Sequence, residues 1–199
     1  MKLFLIPGNK NIYLIGSSNA IGIAKKSYVN GHVTDITRRG LSVIVNSSTC
    51  YVNTLPKSSK EIRIVLVIGS NGHENDEYSL FRENYIESLC ELFKMGFHNR
   101  QIFAILPMTR GKDTSLYKDQ LRKMQELKVG LKFLKVAAVC WDDLLPEGFD
   151  RKHKLFGKKD AKLKNFVHYS GEAKRALADY LELIVENGFD KQRELVLTE

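Results

Sequence analysis

The sequence lacks the features of a secreted disulfide-bonded protein and of a membrane protein. Its three cysteines, Cys50, Cys90 and Cys140, lie far apart and form no Cys-x-x-Cys pair, so a reducing compartment is the simpler expectation. The N-terminal apolar run stops at Pro7-Gly8, without the length or the cleavage site of a signal peptide. No stretch approaches the ~18 consecutive apolar residues of a membrane span. We therefore expect a soluble, cytoplasmic (intracellular) protein.

Metal-binding motifs are also missing from the sequence. The five histidines are scattered, and neither an HExxH motif nor a Cys/His cluster occurs. His73 follows a Gly-containing loop and is a weaker candidate for chemistry than His168, because a loop histidine more often faces solvent. The sequence therefore favours chemistry without a metal.

Positive charge is in excess, with a formal net charge of +8. Such an excess is compatible with a polyanionic partner such as nucleic acid, but a run of like charges is more often a solvated loop. The run of basic residues between Arg151 and Lys164 contains Gly157, which favours the loop interpretation. Much of the excess lies in one run: Arg151, Lys152, Lys154, Lys158, Lys159, Lys162 and Lys164.

Short β-branched runs alternate with segments of helical period, which predicts an α/β fold with about five parallel strands in a three-layer α/β/α arrangement. With 199 residues, 43% of them hydrophobic, the chain fits one domain, with a core over about 10–187 and a frayed C-terminal tail over 188–199. The predicted strands are Ile12–Ile15, Val33–Thr37, Ile62–Ile68, Ile102–Leu106 and Lys135–Val139. The predicted helices are Ala20–Val29, Tyr78–Met95, Ser115–Lys128 and Gly171–Glu186.

Ligands of such sheets bind outside the carboxyl ends of the strands, so the loops that follow the strands are where a site is expected. The first is Gly16-Ser17-Ser18, a tight turn in which a serine is either a helix cap or a nucleophile. Gly40 follows the second strand, and Gly69-Ser70-Asn71 follows the third; glycine N–H groups and an asparagine amide suit an oxyanion. His168 stands directly before the last predicted helix.

This order of four blocks resembles the SGNH (GDSL-like) hydrolase family over about 12–184. The family's Gly-Asp-Ser block matches Gly16-Ser17-Ser18, with Gly22 four residues after the serine, so the nucleophile's position falls on Ser18. The resemblance implies a flavodoxin-like SGNH fold and a serine esterase without cofactor, in which His168 is the base. It also implies an oxyanion hole of the Ser18 and Gly40 N–H groups and the Asn71 side chain, and a small acyl ester of a carbohydrate or lipid as substrate.

Three residues depart from the family pattern. Ser17 and Gly72 stand where the family has aspartates that shape the turns, and Asn165 stands in the Asp-x-x-His block where the acid of the triad is usual. Asn165 can orient His168 through its amide oxygen, but replacing the acid of a triad by asparagine can cost orders of magnitude in rate. A slow hydrolase, the use of another carboxylate or backbone carbonyl, and a loss of catalysis all remain open.

Two other function classes are compatible with the sequence. One is an SGNH-like binding protein that contacts nucleic acid or another polyanion through the lysine-rich run. The other is a Rossmann-like nucleotide-binding protein, since the Gly16–Gly22 turn has the last glycine of that fingerprint. It lacks the middle glycine, and no acidic residue stands at the end of the predicted second strand.

Overall fold

A parallel five-stranded sheet forms the centre of the protein. The structure is a computed structural model that describes residues 11–26, 32–57, 60–68, 78–107, 114–155 and 168–198. The strands are Ile12–Gly16 (β1), Val33–Asp35 (β2), Arg63–Val67 (β3), Ile102–Leu106 (β4) and Ala137–Cys140 (β5).

All four strand pairings are parallel, and the spatial order is β2-β1-β3-β4-β5. This is the flavodoxin-like order of doubly wound folds and differs from the classical Rossmann order. Every residue of β4 and β5 is buried, as expected for strands that are covered on both faces. The predicted α/β fold is therefore confirmed, and its topology disfavours the Rossmann-like alternative.

Helices follow the strands along the chain. The helix Tyr78–Lys94 (α2) buries Phe81, Tyr85, Leu89 and Leu92 on one face, as its sequence period predicts. Gly96, with φ +89°, ends it as a C-cap: the N–H of Phe97 donates to the Leu92 carbonyl. The helices are Ile23–Lys26 (α1), Tyr78–Lys94 (α2), Thr114–Phe133 (α3), Arg151–Lys154 (α4), Gly171–Asn187 (α5) and Phe189–Thr198 (α6), and the 3-10 turns are Tyr51–Thr54, Asn99–Gln101 and Trp141–Leu144.

Several element boundaries differ from the predicted ones, and two of the differences have an identifiable cause. The helix α1 begins at Ile23 rather than Ala20, because Gly22 has φ +78° and residues 18–22 form a turn. The strand β5 begins at Ala137 rather than Lys135, because the Lys135 and Val136 N–H groups donate to carbonyls in the last turn of α3. The helix α3 continues past the predicted end at Lys128, through Gly130, to Phe133.

The segment expected as a frayed tail after Gly188 instead contains α6, which packs on the core. Phe189 is buried and makes an edge contact with Phe103 of β4, whose ring also contacts Tyr180 of α5. The Asp190 carboxylate accepts two hydrogen bonds from the Arg63 guanidinium, from Nε at 3.0 Å and Nη2 at 3.1 Å. The last helix is thus held to both β3 and β4.

No helix in the described ranges is long and apolar enough to cross a membrane. The described part of the chain holds the three cysteines as free thiols, with Cys50 and Cys140 buried and Cys90 exposed.

Candidate active site

The first turn of the candidate site depends on the small size of Gly16, the last residue of β1. A Cβ atom on Gly16 would lie 2.3 Å from the Ala20 Cβ, which is too close for any side chain, and 3.3 Å from the Val67 Cβ, which is a tight contact. The chain turns back at once, and the Ala20 N–H donates to the Ser17 carbonyl at 3.0 Å. Ser17 is fully buried in this turn, whereas Ser18 is partly exposed. Of the two adjacent hydroxyl side chains, Ser18 is therefore the one open to a substrate.

A buried hydrogen bond joins the serine turn to the segment that carries His168. The Asn19 side-chain oxygen accepts a hydrogen bond from the Tyr169 N–H at 3.0 Å, and both residues are nearly inaccessible. Because Asn19 follows Ser18 and Tyr169 follows His168, the two predicted catalytic residues lie at the same edge of the sheet. His168 itself is exposed.

The segment around His168 is held by contacts on its C-terminal side. The Tyr169 ring lies 4.1 Å from the Trp141 ring, centroid to centroid, and the Trp141 Nε1–H donates to the Ala173 carbonyl at 2.9 Å. Ser170 is the N-cap of α5, since its Oγ accepts from the Ala173 N–H at 3.1 Å. These contacts give His168 a rigid neighbour although it is itself exposed.

The loop after β2 runs beside the serine turn. The Arg38 N–H donates to the Gly16 carbonyl at 3.1 Å, so the chain still follows β1 at this point. Gly40 is exposed and has φ +77°, a left-handed conformation that favours glycine. Leu41 and Val43, both buried, return the chain to the core. Gly40 thus stands in a loop at the same edge as Ser18 and His168.

Two of the predicted site residues, Asn71 and Asn165, lie outside the described residues, as does His73. The structure therefore brings together the segments that carry Ser18, Gly40 and His168. Their catalytic roles stay predictions.

The basic run begins in a helix rather than in a loop. The Arg151 Nε–H donates to the Asp142 carboxylate at 2.8 Å, and Lys154 pairs with Glu172 at 3.4 Å. Both of these cations thus have a carboxylate partner within the chain. The other members of the run, Lys152 in its side chain and Lys158, Lys159, Lys162 and Lys164 entirely, lie outside the described residues.

Cysteine is a poor alternative nucleophile at this edge. Cys140 ends β5 beside Trp141, and its burial raises the pKa of the thiol to about 12, with the Asp143 carboxylate adding to the effect. A thiol with so high a pKa is protonated at neutral pH and unreactive. Among the described residues, no three His, Cys, Asp or Glu side chains are grouped to hold a metal ion.

Asn19 and Tyr169 are the residues at this edge that sequence reasoning missed. Asn19 lies inside the recognised serine turn, but a polar residue there is easily taken for a solvent-facing turn residue. The burial of its side chain and its partner 150 residues away are visible only in the folded chain.

Solved structures with the same architecture support the topology. No protein-family model and no curated protein matches the chain. A member of the lipolytic G-D-S-L family from Veillonella parvula has a TM-score of 0.59 at 16% identity, covering 87% of this chain and 97% of that one. A variant of Axe2, an acetyl-xylooligosaccharide esterase from Geobacillus, has a TM-score of 0.52 at 11% identity, with 91% and 95% covered. TesA has a TM-score of 0.51 at 13% identity, with 87% and 97% covered.

These likenesses extend over nearly the whole of each chain, so they concern the complete fold rather than one motif. The chain has the α/β/α fold of the SGNH, or GDSL, hydrolases.

Proposed function

We propose that the protein is an SGNH-type acyl hydrolase or acyltransferase with Ser18 as nucleophile and His168 as general base. The observation that carries the proposal is the buried hydrogen bond from the Tyr169 N–H to Asn19, which holds the serine turn against the histidine segment. The exposure of Ser18 beside the buried Ser17 agrees with it.

In the proposed reaction, His168 takes the proton from the Ser18 Oγ as that oxygen attacks the ester carbonyl. The oxyanion that forms is held by the Ser18 and Gly40 N–H groups and the Asn71 side chain. The C–O bond to the leaving alcohol then breaks, and the alcohol oxygen takes the proton from His168. Water releases the acyl group as a carboxylic acid in a hydrolase, whereas a second alcohol accepts it in a transferase.

A small acyl group on a carbohydrate or lipid is the proposed substrate. His168 is exposed and Ser18 partly so, which supports a substrate whose bulky alcohol approaches from solvent. The structural likeness to an esterase of acetylated xylooligosaccharides is consistent with such a substrate.

The test is turnover of p-nitrophenyl acetate together with labelling by a serine-reactive fluorophosphonate. We expect slow turnover and labelling of the wild type, and loss of both in Ser18→Ala. Ser17→Ala, which removes the adjacent buried hydroxyl, is the matched control and should still be labelled. Adding an alcohol acceptor such as a xylooligosaccharide then separates transfer, detected as an acetylated sugar, from hydrolysis.

Absence of both turnover and labelling in the folded wild type would overturn this proposal. The binding alternative would then gain weight, and oligonucleotide binding at low salt that weakens steeply with added salt is its signature. The pairing of Arg151 and Lys154 with carboxylates gives that alternative no support from the described part of the basic run.

A further inference from the structure

A cavity of about 380 Å³ lies at the edge of the sheet opposite to Ser18. Arg63, the first residue of β3, and Gln101, which directly precedes β4, line it, and α6 contributes Arg193. Since β1 and β3 are parallel, this cavity lies at the amino ends of the strands and Ser18 at the carboxyl ends. Its volume is within the range of pockets that bind small molecules, roughly 300–1,000 Å³.

The charges around this cavity are predominantly positive. Four cationic side chains and two carboxylates line it, so the formal charge is positive by two even with the imidazole of His98 neutral. The charged residues are Lys60, Arg63, Arg100, Arg193, Asp190 and Glu194.

Two of the guanidinium groups are fixed before any ligand binds. Arg63 donates to both Asp190 oxygens and also, through Nη1, to the Lys60 carbonyl at 2.8 Å. Arg193 donates through Nη2 to the Lys135 carbonyl at 3.0 Å and pairs through Nη1 with Glu194. These bonds hold the two guanidinium groups in place at the cavity, which lowers the entropic cost of presenting their remaining N–H groups to an anion.

The Arg193 side chain has donor capacity that the described part of the chain does not use. It is nine-tenths buried, and its Nε–H has no acceptor among the described residues. A buried donor of a cationic group without an acceptor is unfavourable, and negative charge in the adjacent cavity offsets this.

The other two cationic side chains at the cavity are those of Lys60 and Arg100. Both side chains are exposed, and neither makes an ion pair with any residue in the described ranges. They are thus able to close on an anion between them without first breaking an existing contact.

We propose that this cavity binds the phosphate group of a small phosphorylated molecule. A phosphate monoester is a dianion near neutral pH, which matches the charge excess, and guanidinium groups recognise phosphate oxygens through paired N–H donors. The cavity volume leaves room for an organic group beyond the phosphate. Because the cavity lies across the sheet from Ser18, both sites can be occupied at once.

The test is calorimetric titration of the full chain with inorganic phosphate and with pyrophosphate at constant ionic strength set with chloride. We expect saturable 1:1 binding, competed by sulfate, and unchanged in Ser18→Ala. The double variant Lys60→Ala/Arg100→Ala should weaken binding on the order of tenfold or more, since each lost charge-assisted hydrogen bond contributes that much.

The matched control is Arg82→Ala/Arg175→Ala, which removes two positive charges from exposed positions near the starts of α2 and α5, at the opposite edge of the sheet. This control should change the dissociation constant less than about twofold, because screened charges at a distance contribute little. The proposal fails if binding is not saturable, if both double variants weaken it equally, or if only an oligonucleotide binds and neither phosphate probe does.

Discussion

The Asn19 side-chain oxygen accepts a hydrogen bond of 3.0 Å from the Tyr169 N–H, joining residues 150 positions apart at the edge of the sheet. Each partner directly follows one of the two predicted catalytic residues. The position of His168 relative to Ser18 thus depends on a buried amide that does no chemistry itself.

Replacing Asn19 by leucine leaves the buried Tyr169 N–H without an acceptor. We expect the free energy of unfolding to fall by about 1–3 kcal/mol and the esterase rate to fall with it. Urea unfolding and p-nitrophenyl acetate kinetics measure the two effects. Asn99→Leu is the control, because its side chain donates to the Leu134 carbonyl at an exposed position far from Ser18. Equal losses in the two variants would mean that Asn19 has no special role.

Replacing Gly16 and Gly130 by alanine should have opposite effects on stability. Gly16→Ala places a Cβ atom 2.3 Å from that of Ala20, so the serine turn must shift, at a cost of about 1–3 kcal/mol or more. Gly130→Ala puts a methyl group into open space on α3 and should stabilise the protein by roughly 0.5–1 kcal/mol. Thermal unfolding of both variants tests the signs, and a stable Gly16→Ala protein would contradict the close packing of the turn.

Removing the hydroxyl of Tyr85 should not lower the stability of the fold. This hydroxyl is fully buried and has no hydrogen-bond partner within the described ranges, so Tyr85→Phe deletes an unsatisfied polar atom. We expect an unchanged or higher free energy of unfolding. Trp141→Phe is the contrast, because it loses the bond from Nε1 to the Ala173 carbonyl together with part of the ring, and it should be clearly destabilised. Chemical denaturation measures the free energy of unfolding of both variants, and a clear loss of stability in Tyr85→Phe would contradict the prediction.

Alkaline pH should destabilise the fold through Cys140. Burial raises the pKa of this thiol from 9.0 to about 12 in the folded protein, so the unfolded chain loses the proton first as pH rises. The stabilisation is complete below pH 9 and is lost as pH increases towards 12, at up to about 1.4 kcal/mol per pH unit. Cys140→Ala should have a shallower decline between pH 9 and 10. An unchanged slope in urea titrations at these pH values would contradict the shift.

Activity should increase in Asn165→Asp if this position holds the triad acid. A carboxylate there stabilises the imidazolium that forms on His168, which an amide cannot do. We expect kcat to rise about tenfold or more, with Asn165→Ala slower than the wild type. A variant with Asp that is no faster would indicate that another group orients His168.

The alternation of apolar strands with helical segments was sufficient to predict the sheet, because β3, β4 and β5 have apolar sequences and are buried on both faces over nearly all of their residues. Ile102–Leu106 is predicted to the residue for this reason. Boundaries set by backbone hydrogen bonds could not be predicted in this way: the positive φ of Lys135 and the start of β5 depend on how α3 ends. The helix α6 was missed because its helical pattern is weak and its burial depends on Phe103, far away in the sequence.

For the site, the sequence identifies residue types and their order but not the contacts between distant segments. Ser18, Gly40 and His168 are predicted from their places relative to strands and helices. The support from Asn19, and the cationic cavity formed by Arg63 and Arg193, require two or more chain segments to meet, which no local pattern reveals.

The contact between Phe189 and Phe103 has a consequence for biosynthesis. At about 5–20 residues per second, Phe189 leaves the ribosome several seconds after Phe103. The strand β4 is thus synthesised well before the helix that covers the Phe103 ring. During that interval β4 presents an uncovered aromatic side chain, which is a binding surface for chaperones and a point of aggregation. We therefore expect that a delay in the translation of α6 lengthens the time for which this side chain is exposed.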